Sequence, residues 1–327
     1  MVQMKALDLN GQVAVVTGAG NGLGRSYALA LAARGAKVVV NDLGAAVSGS
    51  GADESAADAV VREITERGGV AVSEHSSVAT PEGGRAIIQR ALDEWGQIDV
   101  LVNNAGNLAL SSFAKLDVEQ IHQTLDIHLG GAFYVTQPAY HEMMRHKKGK
   151  IIFTTSGVAT FGNFGASTYG AGKGGVIGLM SVMKLEAARH GIQVNAVAPM
   201  AQTRMAEDVS LYEHISREAV SPDLCAPVVV FMASDACDFT GEIWSVGSGS
   251  VNRLFVGRTA GYFKHPDREG MLTAEDVAAH VSQIRDVSAY TIPPSWPAEL
   301  EMVVGELRNH RAPAAMTGGH EVIDAMI

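Results

Sequence analysis

Cysteine is nearly missing from this chain of 327 residues: there are two, Cys225 and Cys237. They lack CxxC spacing and have no histidine pair nearby, so they read as core thiols, and a disulfide scaffold is excluded. Cations are outnumbered, with 25 Lys and Arg against 35 Asp and Glu and a formal charge of −10. Proteins that hold nucleic acid usually carry a basic patch or stripe, so that class is set aside. No apolar run reaches the ~18 residues of a membrane span. The start, Met1-Val2-Gln3-Met4-Lys5, has no signal-peptide core. Charged residues are only 18% of the chain and hydrophobic ones 47%, the balance of a globular protein with a large core. A soluble, cytoplasmic protein is expected.

Glycine is plentiful, and several glycines fall where chemistry needs them. The apolar strand Gln12-Val13-Ala14-Val15-Val16-Thr17 runs directly into Gly18-Ala19-Gly20-Asn21-Gly22-Leu23-Gly24, and an Ala/Leu-rich helix follows. This is the setting in which a dinucleotide pyrophosphate meets a helix N-terminus. The next strand, Lys37 to Asn41, ends at Asp42, about where a ribose-binding acid belongs. A carboxylate there accepts from the ribose hydroxyls and repels a 2′-phosphate, so NAD is expected over NADP. Helices over about 53–67 and Pro81–Trp95 alternate with strands at Val70–Val72 and Ile98–Val102. That alternation predicts an α/β fold with a doubly wound parallel sheet of about seven strands.

Farther along, Ile151-Ile152-Phe153 reads as a buried strand delivering Ser156 to the carboxyl end of the sheet, where such folds place ligands. Thirteen residues after Ser156, Tyr169 and Lys173 are spaced to share one helix face. A tyrosine titrates near pH ~10, and a nearby amine favours its ionised form. Tyr169 is therefore a candidate proton donor or acceptor. The histidines His122, His128, His141 and His146 follow Asp117 on one expected helix. His141-Glu142-Met143-Met144-Arg145-His146 is one residue too long for HExxH, so no metal is expected.

Thr17-Gly18-x-x-x-Gly22-x-Gly24, Asn103-Asn104-Ala105-Gly106, Ser156 and Tyr169-x-x-x-Lys173 together resemble the short-chain dehydrogenase/reductase family over residues 8–250. The resemblance implies a Rossmann domain and hydride transfer between a nicotinamide and a carbonyl/alcohol pair. It implies Tyr169 as acid/base, Lys173 lowering its pKa, and Ser156 orienting the substrate oxygen. His128 stands where most of the family has an asparagine that helps a water reach the lysine, and joins this catalytic set. The implied cofactor contacts are Gly18, Gly20, Asn21, Gly22, Leu23, Gly24, Asp42, Ser77, Val78, Asn104, Ala105, Gly106, Pro199 and Thr203, with Tyr169 and Lys173. Where the related branch has an aspartate near the adenine, this chain has Ser76.

Within the family, Val39 to Gly44, His128-Leu129-x-Gly131-x-Phe133, Phe161 to Gly165 and Val246 to Thr259 resemble one branch. It comprises the (3R)-hydroxyacyl-CoA dehydrogenase domains of type 2 multifunctional enzymes, also described as 17β-hydroxysteroid dehydrogenase type 4. That likeness implies a bulky or steroid-derived 3-hydroxyacyl-CoA as substrate, in the chemistry of lipid β-oxidation. A free hydroxysteroid is the second reading, and a non-catalytic nucleotide-binding scaffold a remote third. A homodimer or homotetramer is expected. Residues 1–250 are expected to form the Rossmann domain and 251–327 an extension covering the substrate site. In the extension, Arg253, Arg258, Lys264 and Arg268 would serve the phosphates of coenzyme A. A mobile substrate loop is expected over Ala201–Pro222, a helix over Thr273–Asp286, and little order after Arg311. The C-terminal Asp324-Ala325-Met326-Ile327 is not a peroxisomal address.

Overall fold

The computed structural model describes residues 7–44, 55–203 and 215–309, in two compact units that divide after Leu254. In the first unit, β1 (Val13–Thr17), α1 (Gly22–Ala32), β2 (Lys37–Asn41), α2 (Ser55–Glu66), β3 (Val70–Glu74), α3 (Pro81–Trp95) and β4 (Val100–Asn103) alternate as the sequence predicts. They are followed by α4 (Val118–Leu125), α5 (Gly131–His146), β5 (Gly149–Thr154), α6 (Gly157–Phe161), α7 (Ser167–Ala188), β6 (Ile192–Pro199), α8 (Ala226–Ala233), β7 (Ile243–Gly247) and β8 (Ser250–Leu254). The sheet order is β3-β2-β1-β4-β5-β6-β7-β8. The first seven strands of that order are parallel, and β8 returns antiparallel along β7. The sheet therefore continues past residue 250, the end expected for the Rossmann domain, and the first unit closes at Leu254.

The central strands are apolar because both faces of the sheet are covered. Ala14 and Val16 face a core with α1, α2 and α8, while Val13 and Val15 face the opposite core with α3, α5 and α7. Between β1 and β4 the strand order reverses, which opens a crevice at the carboxyl ends of those strands.

The helix expected to carry four histidines is interrupted. A π-turn at Asp126–Gly130 separates α4 from α5 and buries His128, leaving His122, His141 and His146 exposed. Among the described residues no three His, Cys, Asp or Glu side chains converge as metal ligands do. Both cysteines are buried and free.

The second unit holds β9 (Arg258–Thr259) paired antiparallel with β10 (Tyr290–Thr291), and helices α9 (Pro266–Glu269), α10 (Ala274–Ala279), α11 (Val281–Ile284) and α12 (Trp296–Asn309). The single helix expected over Thr273–Asp286 is split at His280, whose φ of −109° and ψ of 13° break the turn. Its start is as the sequence implies, a capping box between Thr273 and Asp276. α12 was not legible: it begins inside a Pro-rich stretch, Ile292-Pro293-Pro294-Ser295-Trp296-Pro297, where Pro297 in the first turn forfeits no hydrogen bond.

The cations expected to serve phosphates are largely engaged. Arg258 pairs with Glu306 at 3.3 Å and Lys264 with Asp276 at 2.6 Å, while Arg253 reaches Glu242 at 3.2 Å in the first unit. Of the four, only Arg268 forms no ion pair among the described residues. Of the expected mobile loop, residues 204–214 lie outside the described residues, and short turns at Glu218–Val220 and Pro222–Leu224 follow. The expectation for residues after Arg311 also falls outside them.

Candidate active site

The crevice is a cleft of about 600 Å³ whose described walls come from the first unit. Its floor begins at the glycine turn. Gly18 has φ +63°, and a Cβ there would lie 2.7 Å from the Ala105 Cα, so no other residue fits without a shift. Asn21, Gly22, Leu23 and Gly24 continue the wall into α1. The Asn21 side chain makes no capping bond, so the first N–H groups of this eleven-residue helix remain available to an anion.

Two turns are clamped together beneath this wall. The Thr17 hydroxyl accepts from the Asn104 and Ala105 N–H groups at 3.0 and 3.1 Å, and Asn104 Nδ2 donates to the Thr17 and Gly18 carbonyls at 2.9 and 3.1 Å. Asn104, Ala105 and Gly106 all face the cleft. Asp42 stands at the far end, where its two oxygens accept from the Gly20 and Gly44 N–H groups at 2.7 Å each. Gly20 is the one expected contact that does not line the cleft; its N–H is committed to Asp42. Ser77 and Val78 form the adjoining wall with Ser76, and Pro199 and Thr203 close the opposite side.

At the inner end, β5 and α7 bring the catalytic candidates together. Ser156 follows β5 and caps α6, its hydroxyl accepting from the Val158 N–H at 3.1 Å. Tyr169 and Lys173 sit one turn apart on α7, and all three line the cleft. Burial raises the Tyr169 hydroxyl above its ordinary pKa, and a hydrogen bond with the Ser156 hydroxyl pulls the other way. The sequence predicted that Lys173 would lower it. The Lys173 ammonium donates to the Thr154 carbonyl at 2.6 Å and lies 5.9 Å from the Tyr169 ring centroid, and burial brings its own pKa down to about 7.

His128 is placed behind Tyr169, ring edge to ring face at 5.1 Å between centroids. Its Nε2 lies 2.8 Å from the Asn107 carbonyl oxygen and 3.3 Å from the Asn107 N–H, so either tautomer finds a partner on that residue. Burial first and Lys173 second push its pKa down to about 3, so the ring is neutral near neutral pH. Gly106 is required beside it, because a Cβ there would run into the His128 ring. His128 Nδ1 and the Thr154 hydroxyl are buried without hydrogen-bond partners among the described residues. Both residues border a small pocket of about 10 Å³, room for one water.

The substrate end of the cleft is formed by Leu108, Leu110, Val158 and Asn163. Sequence reasoning did not find Leu108, Leu110 or Val158, which sit in loop and short-helix segments without periodicity. A bridge between Ser111 and Ala166 joins the segments, and Phe113, Phe161 and Phe164 along them are 84, 75 and 89% exposed. Lys173 is the only cation on the described cleft wall, which also carries Asp42 and Asp126.

A family model described as short chain dehydrogenase matches residues 12–213. A short-chain type dehydrogenase/reductase of Mycobacterium tuberculosis is 42% identical, over 86% of this chain and 96% of that one. Peroxisomal multifunctional enzyme type 2 of Mus musculus is 38% identical over 95% of this chain, which spans 43% of that enzyme. The structure of the full-length Drosophila melanogaster enzyme of that name superposes with a TM-score of 0.76 at 32% identity, covering 92% of this chain and 50% of that one. A 7α-hydroxysteroid dehydrogenase in complex with NADH and a 7-oxo bile acid conjugate gives a TM-score of 0.66 at 27% identity over 75% of this chain and 96% of that one. With its motifs assembled in one cleft and its relatives agreeing along most of its length, the chain belongs to the short-chain dehydrogenase/reductase family, oxidoreductases that use nicotinamide cofactors.

Proposed function

We propose that this protein oxidises a secondary alcohol to a ketone with NAD, and that its substrate is the 3-hydroxyl of a bulky 3-hydroxyacyl-CoA. The observation that carries the reaction is the convergence of Ser156, Tyr169 and Lys173 on one cleft beside an open helix N-terminus. Bound there, the nicotinamide supplies the hydride acceptor. Tyr169 removes the hydroxyl proton as the carbonyl forms, and Ser156 holds the same oxygen, so its hydroxyl must turn from Val158 toward the substrate. Lys173 anchors the ribose and supplies positive charge behind Tyr169. Asp42 favours NAD, since its carboxylate opposes a 2′-phosphate and Leu43 brings no compensating cation.

The substrate assignment draws on the likeness to the hydroxyacyl-CoA dehydrogenase branch and on the apolar wall of Leu108, Leu110 and Val158, with exposed Phe161 and Phe164 near it. Such a wall suits a large hydrocarbon body. A free hydroxysteroid is the second reading, favoured by the structural likeness to the hydroxysteroid dehydrogenase. NAD reduction measured with both substrate classes separates the two: turnover of 3-hydroxyacyl-CoAs supports the first, and turnover of free steroids alone the second.

A further inference from the structure

Glu74 is a carboxylate that the proposed chemistry leaves unused. It ends β3, is 9% exposed, and forms no ion pair among the described residues. A buried charge without a countercharge is costly, so its hydrogen bonds must hold it. Oε2 accepts from Asn41 Nδ2 at 2.6 Å, and Oε1 accepts from the Ser76 N–H at 2.9 Å. Donors on both oxygens are the pattern of an ionised carboxylate, which can only accept.

Those two donors belong to residues of the cofactor cleft. Asn41 and Ser76 both line it, and Asn41 Nδ2 also donates to the Ser76 carbonyl at 3.0 Å. Asn41 and Glu74 are register partners on β2 and β3, and the Asp42 N–H donates to the Glu74 carbonyl at 3.0 Å. Two carboxylates thus end neighbouring strands, Asp42 on the cleft wall and Glu74 one layer behind it.

We propose that Glu74 is a second determinant of cofactor choice. It positions the Ser76–Val78 wall through Asn41 and Ser76, and its charge adds to that of Asp42 against a phosphorylated ribose. The inference rests on reading this end of the cleft as the adenosine site. A charge shielded from water acts over a longer range than a solvated one, so Glu74 need not touch the phosphate to oppose it.

The test is calorimetric titration of the whole protein with NAD and with NADP, in low and high salt. Glu74→Gln removes the charge and keeps the size. It should shift the ratio of the two affinities toward NADP by about 5-fold or more at low salt, an effect that shrinks as salt screens the field. Glu74→Asp keeps the charge and alters the reach, so it should weaken both cofactors alike and leave the ratio near wild type. Should Glu74→Gln fail to fold, Glu74→Asn carries the same expectation. A neutral variant that weakens both cofactors equally makes Glu74 a structural support and overturns the proposal. Failure of the adenosine-site reading looks different: wild-type protein then binds neither cofactor, or keeps its preference when Asp42 is changed to Ala, and the proposal falls with it.

Discussion

The Lys173 ammonium donates to the Thr154 carbonyl oxygen at 2.6 Å, on the strand that two residues later presents Ser156. The Thr155 hydroxyl returns a bond to the Lys173 carbonyl at 3.0 Å. The serine and the tyrosine-lysine helix are therefore fixed to each other from both sides, before any ligand arrives. This registration carries an electrostatic cost. The folded chain holds the Lys173 pKa at about 7, far below the ordinary lysine value. Between those two values the unfolded chain binds more protons, so stability rises with pH through that window and the cost is full below about pH 7. Lys173→Met should raise Tm by about 5 °C at pH 7, with the gain fading toward pH 10, while turnover collapses. Thermal melts across that range check it; a gain independent of pH would mean the lysine is not held as described.

Tyr169→Phe removes the proton-transferring oxygen and keeps the ring against His128. Turnover should fall ~100-fold or more while cofactor affinity stays near wild type. Because burial raises the Tyr169 pKa, alcohol oxidation by the wild type should climb on the alkaline side, and the variant should lose that limb. Steady-state rates as a function of pH measure both effects.

Asp42 both opposes a 2′-phosphate and accepts from the Gly20 and Gly44 N–H groups. Asp42→Ala should narrow the preference for NAD mainly by weakening NAD, since the glycine turn loses an anchor as the ribose loses an acceptor. Comparison of kcat/KM for the two cofactors tests this; equal or better use of NADP by the wild type would show that the role given to Asp42 is wrong.

Glu306 is buried, with its side chain 7% exposed, and Arg258 is its partner. Arg258→Glu places two carboxylates together and should destabilise the second unit by ~3 kcal/mol. The exchange Arg258→Glu with Glu306→Arg should recover much of that loss. Denaturant titrations of the single and double variants decide it. Selective weakening of acyl-CoA binding with unchanged stability would instead restore the phosphate role expected from the sequence.

Much of the first unit was legible in the sequence because its signals are local. Val13–Thr17 followed by glycines, Pro81 opening a helix and Gly96 ending it, and the buried run at Ile151 each carry their structure in a few residues. Ser156, Tyr169 and Lys173 were readable because fixed spacing encodes their chemistry. What was missed depends on distant partners. The π-turn at His128 has no local marker, the Lys173–Thr154 bond joins a helix to a strand, and Glu74 gains its meaning only when β3 lies beside β2. The ion pairs of Arg258 and Lys264 likewise join residues far apart in the chain or on separate turns, which a count of charges does not show.

The most direct measurement is NAD reduction by the purified protein with a panel of 3-hydroxyacyl-CoAs and free hydroxysteroids, run in parallel with Tyr169→Phe. The account predicts turnover of bulky 3-hydroxyacyl-CoAs, little with the steroids, and a fall of ~100-fold or more in the variant. Activity that survives in Tyr169→Phe would contradict the mechanism, and steroids turned over far better than any acyl-CoA would contradict the substrate.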